Sequence, residues 1–248
     1  MEPSAFYTGI VAEIYQPLKS TVQDWRPYLE FIRRYGEPAL ELGCGDGEPM
    51  LDLLRRGIDV EGVDSSPDML DRFRGKASGE GVRVTLYEQS MEALELPKLY
   101  RSVYLAGPTF TLLPDDSAAQ RTLLAIRRHL AQDGAVLIPL SIPVPTPLHQ
   151  LGEVKEVVSA DGAVLRVSWV AEERDEELRN QTALLRYQKI SADQDTTVER
   201  SWRLHWYTQE GFRELAVQTG FKVQAVLSED GMSAAVEATD FTFLLRAV

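Results

Sequence analysis

The stretch Ala39-Leu40-Glu41-Leu42-Gly43-Cys44-Gly45-Asp46-Gly47 constrains this chain more than any other: a short apolar strand, three glycines at alternate positions, then helical text near Pro49 to Arg56. Glycine at the end of a strand lets the backbone turn tightly and approach a ligand without a Cβ in the way. The turn belongs to an alternating series. Strand Ile58 to Val63, helix Pro67 to Lys76, strand Val82 to Tyr87 and strand Ser102 to Ala106 follow. Next comes a helix from about Asp115, whose Leu123, Leu124, Ile126 and Leu130 recur at helical spacing, and, after a turn at Asp133-Gly134, strand Ala135 to Leu140. Strands alternating with helices predict an α/β fold, a parallel sheet with helices on both faces.

The text on either side differs. Phe6 to Tyr15 and Trp25 to Tyr35 have helix-compatible spacing, with Asp24 placed to cap the second and Gly36 to end it. Pro143, Pro145 and Pro147 at alternate positions favour an extended hinge that cannot continue a central strand. From Gly152 to Tyr207, runs such as Ala163 to Val170 and Thr182 to Ile190 lack helical periodicity and predict antiparallel strands. Thr208 then caps a helix to about Thr219, Gly220 stops it, and strands Lys222 to Leu227 and Phe241 to Arg246 close the chain. The expected organisation is N-terminal helices over 1–36, a core over 37–141 and 207–248 with a seven-stranded, mostly parallel sheet, and an antiparallel β insertion over 142–206.

Composition narrows the partners. With 26 basic against 38 acidic residues the formal net charge is -12, which repels phosphate backbones, so no nucleic-acid partner is expected. Cys44 is the sole cysteine, so no intramolecular disulfide and no multi-thiolate metal site can form, and no metal is expected. Met1-Glu2-Pro3-Ser4 lacks the basic, then apolar, pattern of a signal peptide, and no stretch approaches the roughly 18 apolar residues of a membrane span. A cytoplasmic protein without a membrane partner is the expectation.

The ligand can be read from what surrounds the glycines. The second strand ends in Gly62-Val63-Asp64, an acid placed to accept both hydroxyls of a ribose at the carboxyl edge of the sheet. A dinucleotide site would space its glycines G-x-G-x-x-G, whereas this loop reads G-x-G-x-G. Glu41, just before the first glycine, suits a ligand with a positively charged amino group better than one with phosphates. An amino acid joined to a nucleoside meets both demands.

Glu41 to Gly47, together with Gly62-Val63-Asp64-Ser65-Ser66-Pro67-Asp68-Met69-Leu70, resembles the first two motifs of the class I S-adenosylmethionine-dependent methyltransferases, and the similarity runs on through Tyr104 to Leu130 and Gly220-Phe221-Lys222-Val223. The resemblance implies a Rossmann-like fold and S-adenosyl-L-methionine as cofactor. It implies that Gly43, Gly45 and their neighbours receive the methionine part, that Asp64 holds the ribose, and that Ser65 and Met69 flank the adenosine. Tyr15 matches the family's lid tyrosine, with Tyr7 and Trp25 nearby, and Ala106 follows the fourth strand, where acceptor and methyl group meet. Where the family has Gly-Asp-Met, this chain has Gln89-Ser90-Met91, so a serine stands in for the acid that serves the adenine. Serine can still accept a hydrogen bond, a weaker one than a carboxylate's.

Leu105-Ala106-Gly107-Pro108-Thr109-Phe110 lacks the Asn/Asp-Pro-Pro-aromatic signature of members that modify amide or base nitrogens, which points to a small-molecule acceptor. A sulfonium is already an excellent leaving group, so alignment for in-line displacement and exclusion of water are the enzyme's main tasks. An amine or hydroxyl acceptor also needs its proton shared or removed. His205, set in Trp202-Arg203-Leu204-His205-Trp206-Tyr207, is the nominated catalytic base, with a structural histidine as the competing reading. Two other readings stay open, a nucleoside-binding protein without catalysis and a nicotinamide-dependent oxidoreductase. Exposed strand edges in the insertion offer a route to a homodimer.

Overall fold

The computed structural model describes residues 6–19, 22–159 and 161–248, so the Met1 to Ser4 stretch lies outside the described residues. The core strands are β1 (Ala39–Leu42), β2 (Val60–Asp64), β3 (Leu86–Glu88), β4 (Tyr100–Leu105) and β5 (Leu130–Ser141), joined later by β10 (Phe221–Leu227) and β11 (Asp240–Ala247). They form one seven-stranded sheet in the order β10-β11-β5-β4-β1-β2-β3, parallel except for β11, which runs antiparallel to both neighbours. This is the mostly parallel sheet expected from the alternating text. β1 sits between β2 and β4, so the chain winds outward to the β3 edge and then returns to the other side of β1. That reversal opens a crevice at the carboxyl ends of β1, β2 and β4.

Helices cover both faces: α1 (Ile10–Leu18), α2 (Arg26–Tyr35), α3 (Met50–Leu54), α4 (Pro67–Gly79), α5 (Asp116–His129) and α6 (Gln209–Gln218). One apolar cluster joins Leu42, Val103, Leu123, Ile126, Ile138, Phe212 and Phe243, and a second joins Tyr28, Ile32, Met50, Leu70, Phe73 and Tyr104 on the opposite face. Three helix starts follow side-chain chemistry. Asp115 accepts from the Ala118 N–H at 2.8 Å, Thr208 from Gly211 at 3.1 Å and Ser66 from Met69 at 3.2 Å.

Several boundaries differ from expectation. The helix expected over Phe6 to Tyr15 is interrupted at Gly9, which adopts a positive φ of 56°, and α1 begins at Ile10. β3 is cut to three residues at the sheet edge, since Val82 and Val84 leave the ladder. The turn at Asp133-Gly134 is a bulge within β5, whose Leu130 pairs with Tyr100 and whose Ala135 pairs with Ser102.

The expected antiparallel insertion is a separate four-stranded sheet of β6 (Val154–Val158), β7 (Val164–Asp175), β8 (Asn180–Ile190) and β9 (Thr196–His205), in that order. One face buries Leu165, Val167, Ala183, Leu185 and Tyr187 against Phe6, Val11 and Ile14, so α1 and the insertion share an apolar cluster separate from the core.

Candidate active site

Where β1 ends, the chain turns at once, and the N–H groups of Gly43 and Cys44 both donate to the Val63 carbonyl, at 2.8 and 3.0 Å. Gly43 and Gly47 have φ of 71° and 100°, and a Cβ would collide with Thr109 at the first and Phe73 at the second. The Asp64 carboxylate braces this turn. One oxygen accepts from the Gly45 N–H at 2.8 Å, and the other from the Ser66 N–H at 2.8 Å. Ser66 in turn caps α4. Burial pushes the Asp64 carboxyl up, and the Ser66 and Gly45 N–H groups work against that rise. Each oxygen keeps lone-pair capacity for a further donor such as a ribose hydroxyl.

Glu41 lies wholly buried within β1 and does not line the cavity at the sheet edge. Its Oε2 accepts from the Tyr104 hydroxyl at 2.7 Å, while Oε1 has no partner among the described residues. Burial pushes its carboxyl up to about 8, with the Tyr104 bond and the charge of Lys19 pulling the other way. Tyr104 stacks on Tyr28 at 5.0 Å, and the Tyr28 hydroxyl accepts from the Gly107 N–H at 3.1 Å. This polar seam fixes the ends of β1 and β4 relative to α2.

A cavity of about 520 Å³ opens above these strand ends. Of the residues singled out in the sequence, Tyr15, Gly43, Gly45, Asp64, Ser65, Met69, Ser90 and Met91 line it, and Glu41, Ala106 and His205 do not. Ala106 packs against the apolar cluster beneath α2, and its carbonyl accepts from the Thr109 hydroxyl at 2.9 Å. Ser90 precedes a turn of 3₁₀ helix (Met91–Ala93), and its hydroxyl makes no capping bond there. Gln89 is committed elsewhere, donating to the Glu95 carbonyl and accepting from its N–H at 3.0 and 2.8 Å.

The rest of the wall joins Tyr7, already read as part of the N-terminal lid, to residues of the β4–α5 connection and the insertion that were given no binding role in the sequence. Tyr7 comes from the N-terminal segment, Thr109, Leu113 and Pro114 from the β4–α5 connection, and Thr182, Ser201, Trp202 and Arg203 from β8 and β9. The Tyr7 carbonyl accepts from the Ser66 hydroxyl at 2.6 Å, which ties this segment to the end of β2. Burial raises the pKa of Tyr7, the neighbouring Tyr15 and Tyr187 add to the rise, and Trp202 opposes it. The Trp202 Nε1–H, near this phenol, makes no well-formed hydrogen bond within the described residues.

His205 is buried away from the cavity. Its Nε2 lies 2.9 Å from Asp116 Oδ1 and 3.2 Å from the Tyr207 hydroxyl, and its Nδ1 lies 3.0 Å from Asn180 Oδ1. Both ring nitrogens thus face fixed partners at the joint between the insertion and α5. The Arg179 guanidinium and the Tyr207 hydroxyl also donate to Asp116. Partial burial alone would raise the Asp116 carboxyl, but the bonds from Tyr207, His205 and Arg179 hold it down to about 2. The geometry is that of a clamp, and it places no substrate atom against His205.

The sheet order, the glycine turn braced by an acid at the end of β2, and the crevice above them define the class I S-adenosylmethionine-dependent methyltransferase fold. Residues 39–134 match the family described as Methyltransferase domain, a class whose methyl donor is S-adenosylmethionine. A Geobacillus sp. (strain WCH70) protein named "Putative methyltransferase GWCH70_2453" is 29% identical over 118 residues, covering 46% of this chain and 48% of the relative. The match thus spans about half the length of that curated relative. Among solved structures, the CcbJ methyltransferase from Streptomyces caelestis superposes with a TM-score of 0.80 at 20% identity over 100% of both chains. The sugar N-methyltransferase KedS8 from Streptoalloteichus sp ATCC 53650 gives 0.72 at 18% identity, over 97% of this chain and 94% of its own.

The residues present fit that donor. The positive-φ turn lets backbone approach a ligand, Asp64 offers lone pairs at the rim, Met69 and Met91 give apolar flanks, and Ser90 has a hydroxyl free of capping.

Proposed function

We propose that this protein transfers a methyl group from S-adenosylmethionine to a nitrogen or oxygen nucleophile of a small molecule by in-line displacement. The observation that carries this reading is the single cavity that runs from the glycine turn, Asp64 and Ser90 to Tyr7, Thr109, Trp202 and Arg203. Its volume is of the size that encloses small ligands rather than a polymer surface. When bound, the donor supplies an activated methyl group and a neutral leaving group.

The chain's own part is placement and exclusion of water. Asp64 and the turn at Gly43 and Gly45 fix one end of the cavity, while Tyr7, Trp202 and Leu113 close over the other. Tyr7, with its proton held on by burial, is suited to hydrogen-bond and orient an acceptor and not to remove its proton at neutral pH. We assign His205 to the clamp and not to proton transfer, because Asp116, Tyr207 and Asn180 occupy its ring nitrogens.

Calorimetric titration with S-adenosylmethionine and S-adenosylhomocysteine tests the cofactor half, followed by a screen of small amines and alcohols for transfer of labelled methyl groups. Micromolar binding with turnover on a small acceptor is the expected result. Absence of binding by the intact protein overturns the reading, and binding without turnover on any small acceptor favours a nucleoside-binding protein without catalysis.

A further inference from the structure

The charges lining the cavity are segregated. Asp64 and Glu92 stand at the end formed by the core, and the cation in the lining, Arg203, stands at the end formed by the insertion. Arg203 differs from its neighbours. Among the described residues of the insertion, Arg166 pairs with Glu156, Arg174 with Glu176, Arg179 with Asp116 and Arg186 with Glu199, and Arg200 donates to the Glu199 carbonyl. Arg203 has neither a hydrogen bond nor an ion pair among the described residues, in a chain whose formal net charge is -12. Asp116, at the head of α5, is already engaged by Arg179, His205 and Tyr207.

The strand register supplies the rest of a donor set. Thr182 on β8 is paired directly with Arg203 on β9, and Ser201, two residues along the same strand, shares its face. All three line the cavity. A guanidinium and two hydroxyls on one face of the β8–β9 pair offer several N–H and O–H donors to a ligand in the cavity, the kind of set that recognises an oxyanion.

We propose that Arg203, with Thr182 and Ser201, forms an oxyanion-recognition wall, and that the methyl acceptor carries a phosphoryl or carboxylate group that docks there. This rests on the methyltransferase reading and deepens it, since it makes Arg203 a specificity-determining residue and directs the search toward anionic amines and alcohols. Its role is to orient the acceptor, with the nucleophile left free to face the methyl group.

The test titrates the intact protein, in saturating S-adenosylhomocysteine, with inorganic pyrophosphate and separately with malonate. Wild type, Arg203→Gln, Arg203→Lys and Arg186→Gln are compared, the last removing a cation on the same sheet face outside the cavity lining. The expected result is saturable binding of one anion by wild type and by Arg186→Gln. Arg203→Gln should weaken it at least tenfold, and Arg203→Lys, which keeps charge but loses the fork, by less. Binding of pyrophosphate alone identifies a phosphoryl acceptor, and of malonate alone a carboxylate. Unaltered S-adenosylhomocysteine affinity in each variant shows that it is folded. No anion binding by wild type, or equal binding by Arg203→Gln, overturns the proposal. Failure of wild type to bind S-adenosylhomocysteine overturns the methyltransferase reading instead, and is scored separately.

Discussion

The two ends of the cavity are built from different materials. The core end is backbone and small side chains, a turn donating to Val63 and braced by Asp64, set on a sheet packed on both faces. The insertion end is large side chains from a four-stranded sheet, held to the rest by an apolar cluster with α1 and by the clamp at Asp116. An acid at each end shifts in the opposite direction, the buried Glu41 of the core up to about 8 and the largely exposed Asp116, where α5 meets the insertion, down to about 2. Glu41 has one oxygen without a partner, and Asp116 has donors from three side chains. The core end thus spends stability on a preformed site, and the insertion end uses charge pairing to stay docked.

The largest effect should come from Gly47→Ala, which breaks the core end alone. The positive φ and the collision with Phe73 together predict a loss of about 3 kcal/mol or more, or roughly 10 °C in melting temperature for a chain of this size. A melting curve within a degree or two of wild type would show that the turn is not the rigid element it is taken to be. Next, Asp64→Ala removes both the brace on Gly45 and the ribose acceptor. Loss of about 100-fold in S-adenosylhomocysteine affinity, equivalent to about 3 kcal/mol, is expected by calorimetry, with the anion-binding wall of the insertion intact. Unchanged affinity would remove Asp64 from the cofactor site.

Glu41→Gln sharpens the contrast through pH. The folded pKa of about 8 lies above the ordinary 4.5, so the native state binds more protons than the unfolded state between those values, and stability falls as pH rises through that window. Denaturant unfolding at pH 5 and pH 8.5 should show a wild-type loss on the order of a few kcal/mol in excess of the loss in Glu41→Gln, which stays neutral throughout. Identical pH slopes for the two proteins would mean that Glu41 is not the group responsible.

The same division governs what could be read in the sequence. The core end is local: a glycine at each alternate position, an acid closing the next strand and a capping serine each act within a few residues. Spacing therefore points to Gly43, Gly45 and Asp64, the resemblance adds Ser65 and Met69, and all five lie on the cavity wall. Glu41 shows the limit of spacing, because strand alternation sends its side chain into the protein, where Tyr104 meets it. The insertion end depends on register between distant strands. Nothing local in Thr182 or Arg203 says that β8 and β9 pair them, or that Ser201 joins them at a cavity. His205 misled for the same reason, since its aromatic neighbours in sequence are visible and Asp116, 89 residues away, is not.

Asp116→Asn gives the smallest effect and bears directly on that joint. The folded pKa of about 2 lies below the ordinary 3.8, so the stabilisation is fully present above 3.8 and is lost as pH falls toward 2. The side chain is 61% exposed, so solvent screening limits the global cost to about 1 kcal/mol. The loss should be local. Amide hydrogen exchange at neutral pH should quicken across β8 and β9 while β1, β4 and β5 keep their protection, and S-adenosylhomocysteine affinity should stay within threefold of wild type. His205→Gln should reproduce the exchange pattern and leave the shape of the pH–rate profile for methyl transfer unchanged, because a clamp alters docking and not proton transfer. A profile that loses its ionisation in His205→Gln, with exchange undisturbed, would return this histidine to the chemistry. Uniform acceleration of exchange across both sheets in Asp116→Asn would show instead that core and insertion unfold as one unit and that the two ends of the cavity are not independently held.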